Sequence, residues 1–147
     1  MGSSVPDPVE NVTATEVWSR LTSDPASVLI DVRTRAEWTY VGVPDLSRIG
    51  KSPVFVEWQS YPDNRVDPEF GDRLTSLLDE KRTRTDDELF FLCRSGVRSL
   101  SAAKAMTARG YGRCRNVAEG FEGPLDAERH RGRTSGWKFA GLPWVQA

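Results

Sequence analysis

From residue 89 the chain carries a short run of large apolar side chains with no polar alternation. Leu89-Phe90-Phe91-Leu92 is four large apolar residues in a row, the pattern of a strand buried on both faces. The run ends at Cys93, and a short loop with Gly96 in its middle follows. From Ser99 to Arg109 the apolar positions Leu100, Ala103 and Met106 recur at helical spacing, and Gly110 stands where a left-handed C-terminal residue belongs. The loop Cys93 to Arg98 therefore joins the C-terminal end of a buried strand to the start of a helix, which is where open α/β sheets bind ligands.

The flanking pattern supplies the rest of such a sheet. Thr13-Ala-Thr-Glu16 is a capping box, and Ala14, Val17, Trp18 and Leu21 predict a short amphipathic helix ending before Pro25. Ser27 to Val32 reads as the first central strand. A second capping box, Thr34 to Glu37, opens one or two turns through Trp38. Pro53 to Val56 is a further strand, leading into an aromatic-rich loop from Glu57 to Val66. Trp58 or Tyr61 of that loop either walls the strand ends or covers core. Asp67 and Pro68 read as N-cap and first helical residue, with Phe70, Leu74, Leu77 and Leu78 giving one apolar face as far as about Glu80.

A length of 147 residues suits one domain, and burial of about 68–70% of the unfolded chain's surface is expected at this size. The net charge of −1 argues against nucleic acid as a partner, because that affinity rests on neutralising phosphates. No apolar run approaches the length of a membrane span. The first residues have neither a basic segment nor an apolar one, so no signal peptide is expected and the protein is read as cytoplasmic. Residues 1–12 are read as a flexible N-terminal arm and 13–147 as the domain. No cofactor or metal is expected. One histidine and two distant cysteines cannot build a zinc site, and neither a phosphate-binding nor a dinucleotide-binding glycine fingerprint is present.

The candidate chemistry lies in Cys93 to Arg98. Successive backbone N–H groups in a tight strand-to-helix turn make an anion-binding nest, and Gly96 permits the positive φ it needs. The helix dipole and two arginines, Arg94 and Arg98, add positive charge. A thiol so placed is expected to ionise easily, and the thiolate is the nucleophilic form. The alternative for Cys93 is a buried cysteine that merely ends a strand. Cys114 should begin the neighbouring strand, which sets it four or five residues, about 13–16 Å, from Cys93. A disulfide needs Cα atoms within about 7 Å, so two free thiols in a reducing compartment are expected.

Four stretches resemble rhodanese-domain sulfurtransferases, in the family's order. Cys93-Arg-Ser-Gly-Val-Arg98, followed by Ser99, looks like the active-site loop. Val28 to Arg33, continuing to Glu37-Trp38, looks like the first core strand with its Asp-x-Arg signature. Gly110-Tyr111 through Asn116-Val117 to Gly120-Phe121, and Gly136-Trp137-Lys138 with Ala140-Gly141-Leu142-Pro143, look like the later strand, its glycine turn and the ending. The resemblance spans about residues 13–144. It implies a single α/β domain with a central, mainly parallel sheet and helices on both faces.

Its implied function is transfer of a sulfane sulfur from a small anionic donor such as thiosulfate to a thiophilic acceptor, cyanide or a thiol, including a protein thiol. Cys93 would be the nucleophile and persulfide carrier, and Arg94, Ser95, Gly96, Val97 and Arg98 would bind substrate. A monomer is expected. Two alternatives stand beside it: a phosphatase or arsenate reductase using the same Cys–Arg logic, and a non-enzymatic persulfide carrier or protein-binding module. In Tyr40 to Leu46 the family's usual histidine is missing. Arg33 and Glu37 are read as ties between strand end and loops, with Arg33 as a substrate ligand the minor alternative. Relative to the family pattern, about 122–135 is an insertion. It carries Arg129, His130, Arg131 and Arg133 and is read as a solvated charged loop or, alternatively, as a basic rim or lid over the site.

Overall fold

The computed structural model describes residues 9–60 and 63–146. In chain order the elements are β1 (Glu10–Val12), α1 (Ala14–Ser23), β2 (Val28–Asp31), α2 (Arg35–Tyr40) and β3 (Val43–Pro44). A single 3-10 turn, Ser47–Ile49, precedes β4 (Val54–Phe55), β5 (Gln59–Ser60), β6 (Arg65–Val66) and α3 (Phe70–Glu80). Then come β7 (Leu89–Leu92), α4 (Val97–Ala108), β8 (Cys114–Val117) and β9 (Trp144–Val145). Five strands form one sheet in the order β1-β8-β7-β2-β4, every pairing parallel. The expected α/β architecture is present, with β7 at the middle of the sheet.

The unbroken apolar run of β7 follows from that position, since both of its faces are covered. Leu89, Phe91 and Cys93 point into a core shared with Phe70, Leu74 and Leu78 of α3 and Ala102, Ala103 and Met106 of α4. Phe90 and Leu92 point the other way, onto Ala14, Val17 and Leu21 of α1 and onto Phe121 and Trp137. The period-two geometry of a strand thus puts Cys93 on the α3–α4 side, beneath the start of α4. Both predicted capping boxes form: Thr13 with Glu16 on α1, Thr34 with Glu37 on α2.

Three boundaries differ from expectation. Glu10–Val12, the end of the segment read as a loose arm, forms edge strand β1 against β8; residues 1–8 lie outside the described residues. α3 starts at Phe70 rather than at Pro68, because Asp67 caps a preceding turn: its carboxylate accepts from Glu69 N at 2.9 Å and its carbonyl from Phe70 N at 3.1 Å. α4 starts two residues earlier than the apolar periodicity suggests, at Val97 directly after Gly96.

The C-terminal end of β2 is fastened by a buried ion pair. Arg33 and Asp31 are both fully buried, and Arg33 Nη2 donates to Asp31 Oδ2 at 2.7 Å and to the Gly42 carbonyl at 2.8 Å. Its guanidinium lies 4.3 Å over the Phe121 ring centroid, a favourable cation–π position. Arg33 therefore ties β2 to the loop before β3 and to the turn after β8. Among the described residues no helix is long and apolar enough to cross a membrane.

Removing one member of a buried pair strands the other charge, at a cost of about 3–5 kcal/mol. Asp31→Ala should therefore lower stability by that amount in urea unfolding. A loss of only a few tenths would mean that Arg33 finds water in the folded protein.

Candidate functional site

Cys93 is the residue immediately beyond β7, and its side chain is 1% exposed. The loop after it turns at Gly96, whose φ of +103° is open to glycine and strained for other residues. That turn brings the Gly96 N–H to 3.1 Å from Cys93 Sγ. α4 begins at the next residue, so its N-terminal partial charge lies at the sulfur. Ser99, in the first turn of α4, places its Oγ 3.2 Å from the same sulfur. The anion-stabilising geometry expected of the loop is thus present around the thiol itself.

Backbone ties hold the loop in this shape. The carbonyl of Cys93 accepts from Phe121 N at 2.8 Å, and that of Arg94 accepts from Glu122 N at 3.0 Å and Gly123 N at 3.2 Å. A Cβ on Gly120 would meet the Arg94 carbonyl oxygen at 2.4 Å, and a Cβ on Gly96 would meet that of Ala118 at 2.0 Å. Loop and turn can close to this distance only because both residues are glycine.

Cys93 opens on a cleft of about 510 Å³, walled by Thr34 and Glu37 on one side, Gln59 and Asn64 on another, and Arg94 and Arg98 on the third. Arg94 is exposed at the mouth, and Val97 beside it is 74% exposed. Arg98 is already engaged: Nη1 and Nη2 donate to Glu37 Oε1 and Oε2 at 2.6 and 2.9 Å. A guanidinium has five N–H donors, so Arg98 keeps donors for a ligand, but its charge is offset by Glu37. Burial pushes the Glu37 carboxyl up, yet the hydrogen bonds and charge of Arg98 outweigh that and hold it below the ordinary carboxylate value. Glu37 therefore does more than tie a strand end; it fixes the arginine of the loop.

Gln59 and Asn64, on the β5–β6 hairpin, were not singled out from the sequence, because a Gln and an Asn in an aromatic-rich loop carry no chemical signature. Their neighbour Trp58 turns inward and packs edge-on against Phe70 with centroids 4.9 Å apart. It covers core, as the structural alternative had it; Tyr61 lies outside the described residues. Asn116 and Ser99 are both buried as well; the sequence sets them beside the loop without assigning either a role, because an Asn in the mixed Cys-Arg-Asn-Val strand and a Ser in a helical first turn carry no signature of their own.

Cys114 pairs in register with Leu89, four residues back from Cys93 along β7, and both cysteines are free and buried. Burial pushes the Cys114 thiol up to about 11, which leaves it protonated and unreactive near neutral pH. The 122–135 segment is rooted on the Arg94 carbonyl, yet none of its residues walls the cleft. Arg131 donates to the Gly123 carbonyl at 2.8 Å, and Arg133 lies 3.8 Å from both Asp126 and Glu128. Much of its charge is thus spent within the segment.

A family model described as the STR4 middle domain matches residues 9–147. The crystal structure of Rv0390 from M. tuberculosis is 44% identical and superimposes with a TM-score of 0.81, over 96% of this chain and 100% of that one. An uncharacterized protein of Rickettsia conorii is 38% identical over 136 residues, 92% of this chain and 97% of its own length. Thiosulfate sulfurtransferase 18 of Arabidopsis thaliana is 33% identical over 93 residues, 63% of this chain and 62% of that protein.

The Glu37–Arg98 pair gives stability a defined pH dependence. The folded-state carboxyl lies below its ordinary value of 4.5, so the contribution is complete above that pH and is lost as pH falls through the folded value. Glu37→Gln should cost about 1.5–3 kcal/mol at pH 7. The gap to the parent should hold steady down to about pH 5 and then close. Urea midpoints measured across this range test it; a gap that widens in acid would contradict the pairing.

Proposed function

The chain belongs to the family of the STR4 middle domain and is a rhodanese-like domain, and from that footing we propose that it is a sulfurtransferase working through Cys93. The observation that carries this reading is the size of the cradle. Four residues separate Cys93 from Arg98, and the turn they make brings the Gly96 N–H onto the sulfur at 3.1 Å. A ring this tight suits one additional sulfur atom on the cysteine. A phosphatase-type loop has one more residue between its cysteine and arginine, and the wider ring suits a tetrahedral oxyanion. The similarity to a protein named thiosulfate sulfurtransferase supports the same choice.

In the proposed reaction the Cys93 thiolate attacks the outer sulfur of a sulfane donor such as thiosulfate. The new S–S bond forms as the old one breaks, and sulfite leaves with the electron pair. Arg94 at the mouth attracts the anion, and Arg98, held by Glu37, presents its remaining N–H donors to the departing charge. Ser95, Gly96 and Val97 supply the loop backbone that carries the loaded sulfur. An acceptor nucleophile, cyanide or a thiolate, then takes the outer sulfur and returns Cys93 as thiolate. Neither half-reaction needs a general base, so the absence of histidine from the loop costs nothing.

The neutralisation of Arg98 by Glu37 favours a second reading, a persulfide carrier that takes its sulfur from another protein. A cleft with one of its two cations offset has less attraction for a small dianion. The two readings share the Cys93 persulfide and differ in turnover with thiosulfate.

Thiocyanate formation from thiosulfate and cyanide tests the proposal. Cys93→Ser should abolish turnover, and Cys114→Ser, four positions back along the sheet, should leave it nearly unchanged. Comparable losses in both variants would overturn the assignment. Formation of the persulfide with negligible turnover would select the carrier.

A further inference from the structure

Two buried side chains that the reaction above does not use meet at Cys93. Ser99 Oγ lies 3.2 Å from Cys93 Sγ and 2.6 Å from Asn116 Oδ1. A hydroxyl has a single hydrogen to give, so Ser99 can donate to the sulfur or to Asn116, not to both. Asn116 cannot resolve the conflict by turning over. Its Nδ2 donates to the Gly96 carbonyl at 3.1 Å and to Asn11 Oδ1 at 3.0 Å. A flipped amide would set its own oxygen against the Gly96 carbonyl. Oδ1 therefore stays on Ser99.

We propose that Asn116 is a positioning residue that acts on Cys93 through Ser99, making the bare thiolate the least satisfied state of the site. With Cys93 as a neutral thiol the hydrogen bonds close in sequence: Sγ–H donates to Ser99 Oγ, and the Ser99 hydroxyl donates to Asn116 Oδ1. When the thiol proton leaves to solvent through the cleft, the sulfur requires donors. Gly96 N–H supplies one. The other must come from Ser99, whose hydrogen then turns away from Asn116 and leaves a buried oxygen without its donor. Once Sγ forms a covalent bond to an electrophile its charge is gone, and Ser99 returns to Asn116. The pair thus offsets part of the anion stabilisation that the Gly96 N–H and the start of α4 supply, while favouring the sulfur-bonded state, which sharpens the nucleophile without adding a base.

The competition has a signature that a purely structural role lacks: most of the effect of Asn116 on Cys93 disappears when Ser99 is removed, although its bond to the Gly96 carbonyl remains. In a Cys114→Ser background, where Cys93 is the one remaining thiol, the pH profile of iodoacetamide alkylation reads the thiolate directly. Asn116→Ala should move that profile to lower pH by about one unit, a tenfold gain in rate on its acid side. In a Ser99→Ala background the same substitution should move it by less than a third of that. Equal displacements with and without Ser99, or none with it, would overturn the proposal. Thermal unfolding of each variant identifies any that fail to fold.

A second measurement needs no change at Asn116. The Raman S–H band of Cys93 should lie at the frequency of a hydrogen-bonded thiol in the Cys114→Ser protein and move upward in Ser99→Ala. A band already at the free-thiol frequency, unmoved by Ser99→Ala, would also overturn the inference. Alkylation and the S–H band involve no sulfur donor, so either test can fail while the sulfurtransferase reading survives.

Discussion

The carbonyl oxygens of Arg94 and Ala118 lie where a side chain would begin if Gly120 or Gly96 were any other residue. This mutual close approach of two backbone segments is what the site depends on. It presses the Cys93 loop against the turn after β8, and Phe121, Glu122 and Gly123 then take up the loop's carbonyls. With those carbonyls tied outward, the chain at Gly96 can aim its N–H at the sulfur. The conformational cost of the turn at Gly96 is small because glycine adopts positive φ readily. The start of α4 is therefore delivered to Cys93 by packing rather than by a flexible loop, as sites built on rigid elements require.

The polar groups around this point are arranged in successive layers. Asp31 and Arg33, fully buried, fix the end of the neighbouring strand, and the Arg33 guanidinium rests on Phe121. Glu37, presented by the α2 capping box, crosses to α4 and holds Arg98 in two hydrogen bonds. Asn116 on β8 reaches both the loop carbonyl of Gly96 and, through Ser99, the sulfur. The Glu37 and Asn116 contacts join α2 and β8 to the loop and the start of α4, while Arg33 braces the turn at Phe121 on which the loop rests, so the geometry at Cys93 reflects several elements at the sheet's C-terminal edge. Cys114, on the same face but at the other end of its strand, meets none of these groups, and burial alone keeps its thiol protonated.

What could be read from the sequence was mostly local. The uninterrupted apolar run of β7, both capping boxes and the positive φ of Gly96 all follow from patterns within a dozen residues, and the separation of the two cysteines needs only the further rule that β8 lies parallel beside β7. The polar walls of the cleft depend on long-range contacts. Glu37 and Arg98 are 61 positions apart and Asn116 is 17 from Ser99; composition and periodicity do not pair them. The same limit hid β1, whose Glu-Asn-Val sequence has no strand signature until β8 offers it an edge. Asp67 and Pro68 misled for a different reason. Their capping chemistry is present, but it closes a turn that precedes α3 instead of the helix itself.

If the cradle is built to receive one sulfur atom on Cys93, that atom can be weighed. Intact-protein mass spectrometry after brief thiosulfate treatment measures this most directly. The protein should gain a single sulfur, reversed by cyanide and absent from Cys93→Ser, with negligible hydrolysis of an aryl phosphate by the same preparation. An unchanged mass together with efficient phosphate hydrolysis would contradict a single-sulfur cradle.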